Sequence, residues 1–304
     1  MRDSKLYPGE MITGKWNQNS YQILTFLGGG GVGTVYKVLD TRSKQVYALK
    51  LSDDLQSITK EYEMLETFKG LEIIPKVKEL DDCLIKSRQY YMIVMEYING
   101  KNLKEHIENV NMGIKTLVEL ILIIGKTFQM LHKKKLIFGD LKPENLMIDH
   151  ENEMVKIIDL GGVASMGTAL KEYTPLYDRA SWNIGRRNAD KEYDLFSLCM
   201  LMTAILLKFR LSPGNMTVDK IGMKLKDVDI PAALSELIHK GLMQKSMTYD
   251  QFLSQLEKLH SKGIYRWDGK KSRQTENVIN SLFLSSIVMF LSILFFYAGK
   301  SILW

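Results

Sequence analysis

Two cysteines are all that 304 residues contain, Cys83 and Cys199, far apart and with no C-x-x-C spacing. That scarcity argues against a disulfide framework and against a structural zinc site, and it fits a reducing compartment. The first ten residues, M-R-D-S-K-L-Y-P-G-E, hold no apolar run, so no secretory signal is expected there. Internal repeats and long low-complexity stretches are also missing, so no repeat architecture is expected. Neither sign of charge dominates strongly. A formal charge of +6 favours polyanionic partners such as nucleotides, nucleic acid or acidic lipid without selecting among them. What is present, 45% hydrophobic and 25% charged residues, can bury a large core as one bilobal domain or as two domains.

The most informative stretch is residues 136–148, L-I-F-G-D-L-K-P-E-N-L-M-I. It sets Asp140, Lys142 and Asn145 on one short loop at offsets zero, two and five. A carboxylate, an ammonium and a carboxamide so placed suit phosphoryl transfer onto a hydroxyl. Asp140 would accept or orient the hydroxyl proton, and Lys142 would balance charge on the moving group. Asn145 would offer its amide oxygen to a magnesium ion.

Upstream, residues 21–27 alternate apolar with polar and break into a glycine run. Residues 34–39, T-V-Y-K-V-L, follow as a second strand. The pattern is G-x-G-x-x-G-x-V on Gly28, Gly30, Gly33 and Val35, with Leu27 just before it. A strand on both sides makes a hairpin whose backbone N–H groups can approach phosphates, whereas a dinucleotide fingerprint would need a helix after the glycines. A third strand, residues 45–51, carries Ala48 and ends at Lys50, within reach of nucleotide phosphates. The helical stretch 58–69 offers Glu61 as the ion-pair partner of Lys50, with Glu63 as the competing choice. Residues 90–95 read as a buried strand running into a hinge. There Met95 would border an adenine, and the backbone of Glu96 and Ile98 would bond it. Residues 114–132 read as a buried helix.

Downstream, a short strand at 155–158 ends in Asp159-Leu160-Gly161, where a second carboxylate can ligate magnesium bridging nucleotide phosphates. Together these residues resemble the protein kinase superfamily. Gly28 to Val35 is similar to its glycine-rich loop, and Tyr47-Ala48-Leu49-Lys50 to V-A-I-K. Asp140 to Asn145 is similar to the catalytic loop, Asp159-Leu160-Gly161 to D-F-G, and residues 193–198 to the next block, in which Asp194 would brace the catalytic loop. The resemblance covers about residues 20–260. It implies an α+β, bilobal protein-kinase-like fold, with a β-rich N-lobe and a helical C-lobe, and ATP with Mg2+ or Mn2+ as cofactors.

Three departures stand out. Phe138-Gly139-Asp140 replaces H-R-D, so the arginine that would pair with a phosphorylated activation segment is missing. Arg179-Ala180-Ser181 stands where A-P-E is usual, which removes a buried ion pair. The short connection between Lys50 and Glu61 suggests an abbreviated regulatory helix. Ser165, Thr168 and Thr174 are candidate autophosphorylation sites, and Thr174 is also placed to contact Asp140 and Lys142.

Residues 232–260 read as closing helices. Residues 261–280 are polar and basic, with Lys262, Arg266, Lys270, Lys271 and Arg273, and residues 281–299 run without a charge. That run is long enough to span a hydrocarbon core of roughly 30 Å. The basic excess before it places the preceding lobes in the cytoplasm, and Trp304 suits the far interface. The expected layout is an N-terminal extension (1–20), N-lobe and hinge (21–98), C-lobe (99–260), linker (261–280), transmembrane helix (281–299) and short tail (300–304). With Gly14-Lys15-Trp16-Asn17, Ile137-Phe138-Gly139-Asp140, Lys171-Glu172-Tyr173-Thr174 and Tyr177-Asp178-Arg179, this layout resembles the tail-anchored kinases of spore-forming bacteria, which implies a serine/threonine kinase of the cell membrane linked to sporulation. The linker, with Lys133, Lys134, Lys135, Arg186 and Arg187, is a candidate contact for DNA or anionic lipid. Protein substrates and self-association are the other expected partners. The alternative is a membrane-tethered pseudokinase scaffold that binds nucleotide or polyanion without turnover.

Overall fold

A computed structural model describes residues 5–30, 33–244 and 246–263. The expected linker beyond residue 263, the span at 281–299 and the tail at 300–304 lie outside the described residues. The described residues form two compact units, those up to Gly100 with Lys156–Gly161, and Lys101–Val155 with those from Gly162 to Gly263. Two contiguous halves meeting near residue 98 were the expectation, and the return of Lys156–Gly161 to the first unit is the difference. Its cause is local. Ile157 N donates to Ile73 O at 2.8 Å, and Lys156 Nζ lies 3.0 Å from Glu96 Oε1.

The first unit is built on an antiparallel sheet of β1 (Met11–Thr13), β2 (Ser20–Gly30), β3 (Gly33–Asp40), β4 (Val46–Ser52), β5 (Val77–Ile85) and β6 (Arg88–Glu96), in the order β1-β2-β3-β4-β6-β5. Alternation along the strands sends Tyr21, Ile23, Tyr36, Val38, Leu49, Leu51, Tyr90, Met92 and Val94 into one core. Each large side chain so buried contributes about 1.5–3 kcal/mol. Of the stretch 1–20, read from the sequence as an extension, Met11–Thr13 and Ser20 lie in strands of this sheet. β1 pairs with β2, and Leu6 N donates to the buried Tyr36 hydroxyl at 3.2 Å. Asp81 accepts from Trp16 N and Asn17 N. Gly14 permits that approach, since a Cβ there would lie 2.2 Å from Asp81 Oδ2. Helix α1 (Leu55–Thr67) starts earlier than its apolar spacing suggests. The Asp54 carboxylate caps it by accepting from Gln56 N and Ser57 N, worth about 1 kcal/mol. The connection is short but the helix is not, at 13 residues.

The second unit contains β7 (Gly100–Asn102), α2 (Leu103–Asn109), α3 (Ile114–Lys133), β8 (Leu136–Ile137), β9 (Leu146–Asp149), β10 (Met154–Ile157, continuing into the first unit), β11 (Ala164–Ser165), α4 (Lys191–Leu206), α5 (Val218–Lys226), α6 (Ala232–Met243) and α7 (Tyr249–Ser261). Residues 193–205 of α4 are all buried, apolar apart from Asp194, Ser197 and Thr203, so this helix is enclosed on every side. Glycines let its neighbours close in. A Cβ on Gly241 of α6 would lie 2.4 Å from Cys199 Sγ, and one on Gly125 of α3 would lie 2.5 Å from Leu253 of α7. Cys83 and Cys199 are both free and buried. Among the described residues no helix is long and apolar enough to cross a membrane.

Candidate active site

In the first unit the strands converge on Lys50. Register sets it beside Val35 of β3 and Ile93 of β6, and sets Ala48 beside Met95. Its ammonium lies 2.5 Å from Glu61 Oε2 and 3.7 Å from Asp159 Oδ1. Glu61 is buried, with Ile58 and Leu65, on the inward stripe of α1, whereas Glu63 is exposed, so the choice between them falls to helix geometry. Gly161 N donates to Asp159 Oδ1 at 2.9 Å, and Lys60 Nζ donates to Gly161 O at 2.9 Å. Sequence reasoning missed Lys60, because an exposed helix lysine carries no signal of its partner.

The glycine hairpin is paired almost to its tip, with Gly28 opposite Val35 and Gly30 opposite Gly33. Its glycines have different reasons. A Cβ on Gly33 would lie 2.5 Å from Leu51 O, while one on Gly28 or Gly30 would meet no atom within 4 Å. The fold therefore needs Gly33 and leaves Gly28 and Gly30 open for a close approach from outside. Leu27 is exposed, whereas Met95 and Ile98 are buried. Glu96 accepts from Lys76 N at 2.9 Å and pairs with the buried Lys156.

In the second unit Asp140 gathers three donors. Lys142 Nζ lies 2.5 Å from Oδ2, and Asn145 Nδ2 donates to the Asp140 backbone oxygen at 3.0 Å. Thr174 Oγ1 donates to Oδ1 at 3.3 Å. Because Asn145 spends its amide N–H groups on Asp140, its carboxamide oxygen is the atom left to ligate. Asp194 accepts from Phe138 N and Gly139 N, both at 3.0 Å, and its Oδ2 lies 2.8 Å from Nε2 of the buried His132. Sequence reading missed this histidine, which the helical pattern of α3 had absorbed as core.

The substituted dipeptide before Asp140 is built into this packing. Phe138 stacks on Phe128 at a centroid distance of 4.5 Å. Gly139 has φ +79°, and a Cβ there would lie 2.7 Å from Leu170 Cδ2. An arginine has neither the backbone conformation nor the room at this position.

The region where A-P-E is replaced holds ion pairs of its own, built from other residues. The fully buried Asp178 accepts from Ser181 Oγ at 2.6 Å, Tyr193 Oη at 3.0 Å and Arg187 at 2.6 Å. Burial resists ionisation of Asp178, but the hydrogen bonds from Arg187, Ser181 and Tyr193 outweigh it and hold the carboxyl below the usual carboxylate range. Arg179 pairs with Asp190 and donates to Arg186 O and Gln244 Oε1. Arg187, read from the sequence as part of a basic patch, is thus engaged internally, while Lys133, Lys134 and Lys135 are exposed. Ser165 and Thr168 are exposed, with Thr168 Oγ1 donating to Ser165 O, and Thr174 is half-buried.

The donors suit a hard divalent cation, since the Asn145 amide oxygen and the Asp159 carboxylate are oxygen ligands. Among the described residues no three His, Cys, Asp or Glu side chains gather as a metal site. A cation held by Asn145 or Asp159 would therefore take further ligands from substrate phosphates and water.

Comparison with known proteins agrees with this chemistry. A profile of the protein kinase domain matches residues 21–262. The serine/threonine-protein kinase YabT of Bacillus subtilis is 38% identical over 202 residues, 65% of this chain and 59% of the relative. A probable serine/threonine-protein kinase of Clostridium perfringens is 26% identical over 82% of this chain and 39% of the relative. PrkC of Bacillus subtilis, also a serine/threonine-protein kinase, is 30% identical over 54% of this chain and 25% of its own length. The matched stretches thus cover less than two thirds of these relatives. With the family profile extending over most of its length, the chain belongs to the protein kinase domain family, where it is similar to bacterial serine/threonine kinases.

Proposed function

We propose that the chain transfers the γ-phosphoryl group of ATP to serine and threonine hydroxyls of proteins, its own chain included, while anchored to the bacterial cell membrane. The observation that carries this reading is the Asp140 carboxylate, 8% exposed, with Lys142, Asn145 and Thr174 arranged on its oxygens and backbone. Asp140 is the base that takes or orients the acceptor proton. Lys142 balances charge on the transferred group, and Thr174 shapes the acceptor site. Lys50, held by Glu61, binds phosphates beneath the hairpin of Leu27, Gly28, Gly30, Gly33 and Val35. Ala48, Met95, Glu96 and Ile98 form the adenine site. Asn145 and Asp159 are the protein ligands for Mg2+ or Mn2+, which when bound neutralises charge on the phosphate oxygens. Ser165, Thr168 and Thr174 are the proposed self-modified hydroxyls. The link to sporulation rests on the tail-anchor pattern of the sequence, and the exposed Lys133, Lys134 and Lys135 with the basic residues of the linker support control by DNA or anionic lipid.

The test is label transfer from γ-labelled ATP with magnesium to casein, comparing the full chain with Asp140→Asn. Incorporation into serine or threonine is expected in the parent and is expected to vanish in the variant while nucleotide still binds. Nucleotide binding without incorporation by the parent would overturn this reading in favour of a scaffold.

A further inference from the structure

Resting on that reading, we infer that Arg187 is a positioning residue for the protein acceptor, holding the chain from Leu170 to Asp178 in the shape that brings Thr174 to Asp140. Three kinds of contact converge on this residue. Its backbone oxygen accepts from Leu170 N at 3.1 Å. Its guanidinium donates to the buried Asp178 at 2.6 Å. The same group lies 3.5 Å from the ring centroid of Tyr173, a cation–π contact.

These contacts fall on both sides of Thr174. Leu170 and Tyr173 precede it and Asp178 follows it, so Thr174 is bracketed by residues that all end on Arg187. Before Leu170 the backbone extends the grip, with Ala189 N donating to Thr168 O and Gly167 N to Ala189 O, both at 2.8 Å. Asp178 ties the bracket to α4 through the Tyr193 hydroxyl, one residue before the Asp194 that holds the amides of Phe138 and Gly139. Gly139 cannot supply a cation here, because Leu170 fills the space a side chain would need. Arg187 brings its charge from the other end of the segment, and the counter-charge is a carboxylate of the chain itself.

The experiment uses the full chain, with casein as acceptor, and measures kcat and KM for casein, KM for ATP, and ATP hydrolysis without acceptor. Arg187→Gln and Tyr173→Ala are each expected to lower kcat/KM for casein, Arg187→Gln by about tenfold, the equivalent of one lost charge-assisted hydrogen bond. KM for ATP and acceptor-free hydrolysis should stay at parental values, a split that general loss of structure would not give. Arg187→Lys should recover part of the loss, and Tyr173→Phe should match the parent. Parental casein kinetics in Arg187→Gln, or an equal fall in ATP hydrolysis, would overturn the inference. If Arg187→Gln shows no cooperative melting transition, the exposed Tyr173→Ala decides by the same criteria. A parent that neither hydrolyses ATP nor labels casein would overturn the proposed function, and the positioning role with it.

Discussion

At the scale of single residues, the choice between Glu61 and Glu63 is a quantitative one. Glu61 sits buried 2.5 Å from Lys50, so Glu61→Ala removes the nearer of two carboxylates facing that ammonium, leaves Asp159 at 3.7 Å, and is expected to cost about 1–3 kcal/mol. Glu63→Ala alters an exposed helix position and should stay within about 0.5 kcal/mol. Denaturant unfolding of the two variants measures both, and equal losses would remove the pairing argument. This pair was legible in the sequence because helical periodicity puts 58, 61 and 65 on one face. Asp140, Lys142 and Asn145 were legible because their chemistry lies within six residues. The links among Asp178, Arg187 and Tyr173 were not. They join irregular backbone across nine residues or more, where no periodicity relates one side chain to another.

At the scale of elements, the glycine hairpin separates what the fold requires from what its ligand requires. Gly33→Ala forces a methyl onto the Leu51 carbonyl and is expected to destabilise by about 1–3 kcal/mol. Gly28→Ala meets nothing and should leave the melting temperature unchanged while weakening ATP binding, as thermal melts with and without nucleotide would reveal. A loss of stability in Gly28→Ala would contradict this division. The sequence placed the hairpin but ended its strands early, since glycines have no side chains to alternate and the backbone pairing through Gly28 and Gly30 leaves no pattern. The segment closed by Asp178 has its own signature. The lowered Asp178 pKa adds stability that is present above the usual carboxylate range and lost as pH falls through the folded value. Melting of the parent against Asp178→Asn should therefore differ most near neutral pH and converge in acid, and a constant difference would show that the charge is irrelevant.

At the scale of the whole molecule, the sequence alone supplies the reading of residues 281–299. The full chain is expected in the membrane fraction and to resist alkaline extraction, and a chain stopped after Lys262 should be soluble. Recovery of the full chain in the soluble fraction would remove the anchor. The division into two units was legible as two lobes, but the membership of Lys156–Gly161 was not, because it depends on hydrogen bonds and ion pairs to residues some 60 to 110 positions earlier. That membership has a consequence for synthesis on the ribosome. The first unit lacks its last six residues until the chain has grown past Gly161, roughly 60 residues beyond its other part. At about 5–20 residues per second, the sheet waits some 3–12 s for Ile157 to reach Ile73 and for Asp159 to reach Lys50. During that interval the nascent sheet carries Lys50 and Glu61 but no Asp159, so nucleotide handling in this chain begins only after the catalytic loop has already been translated.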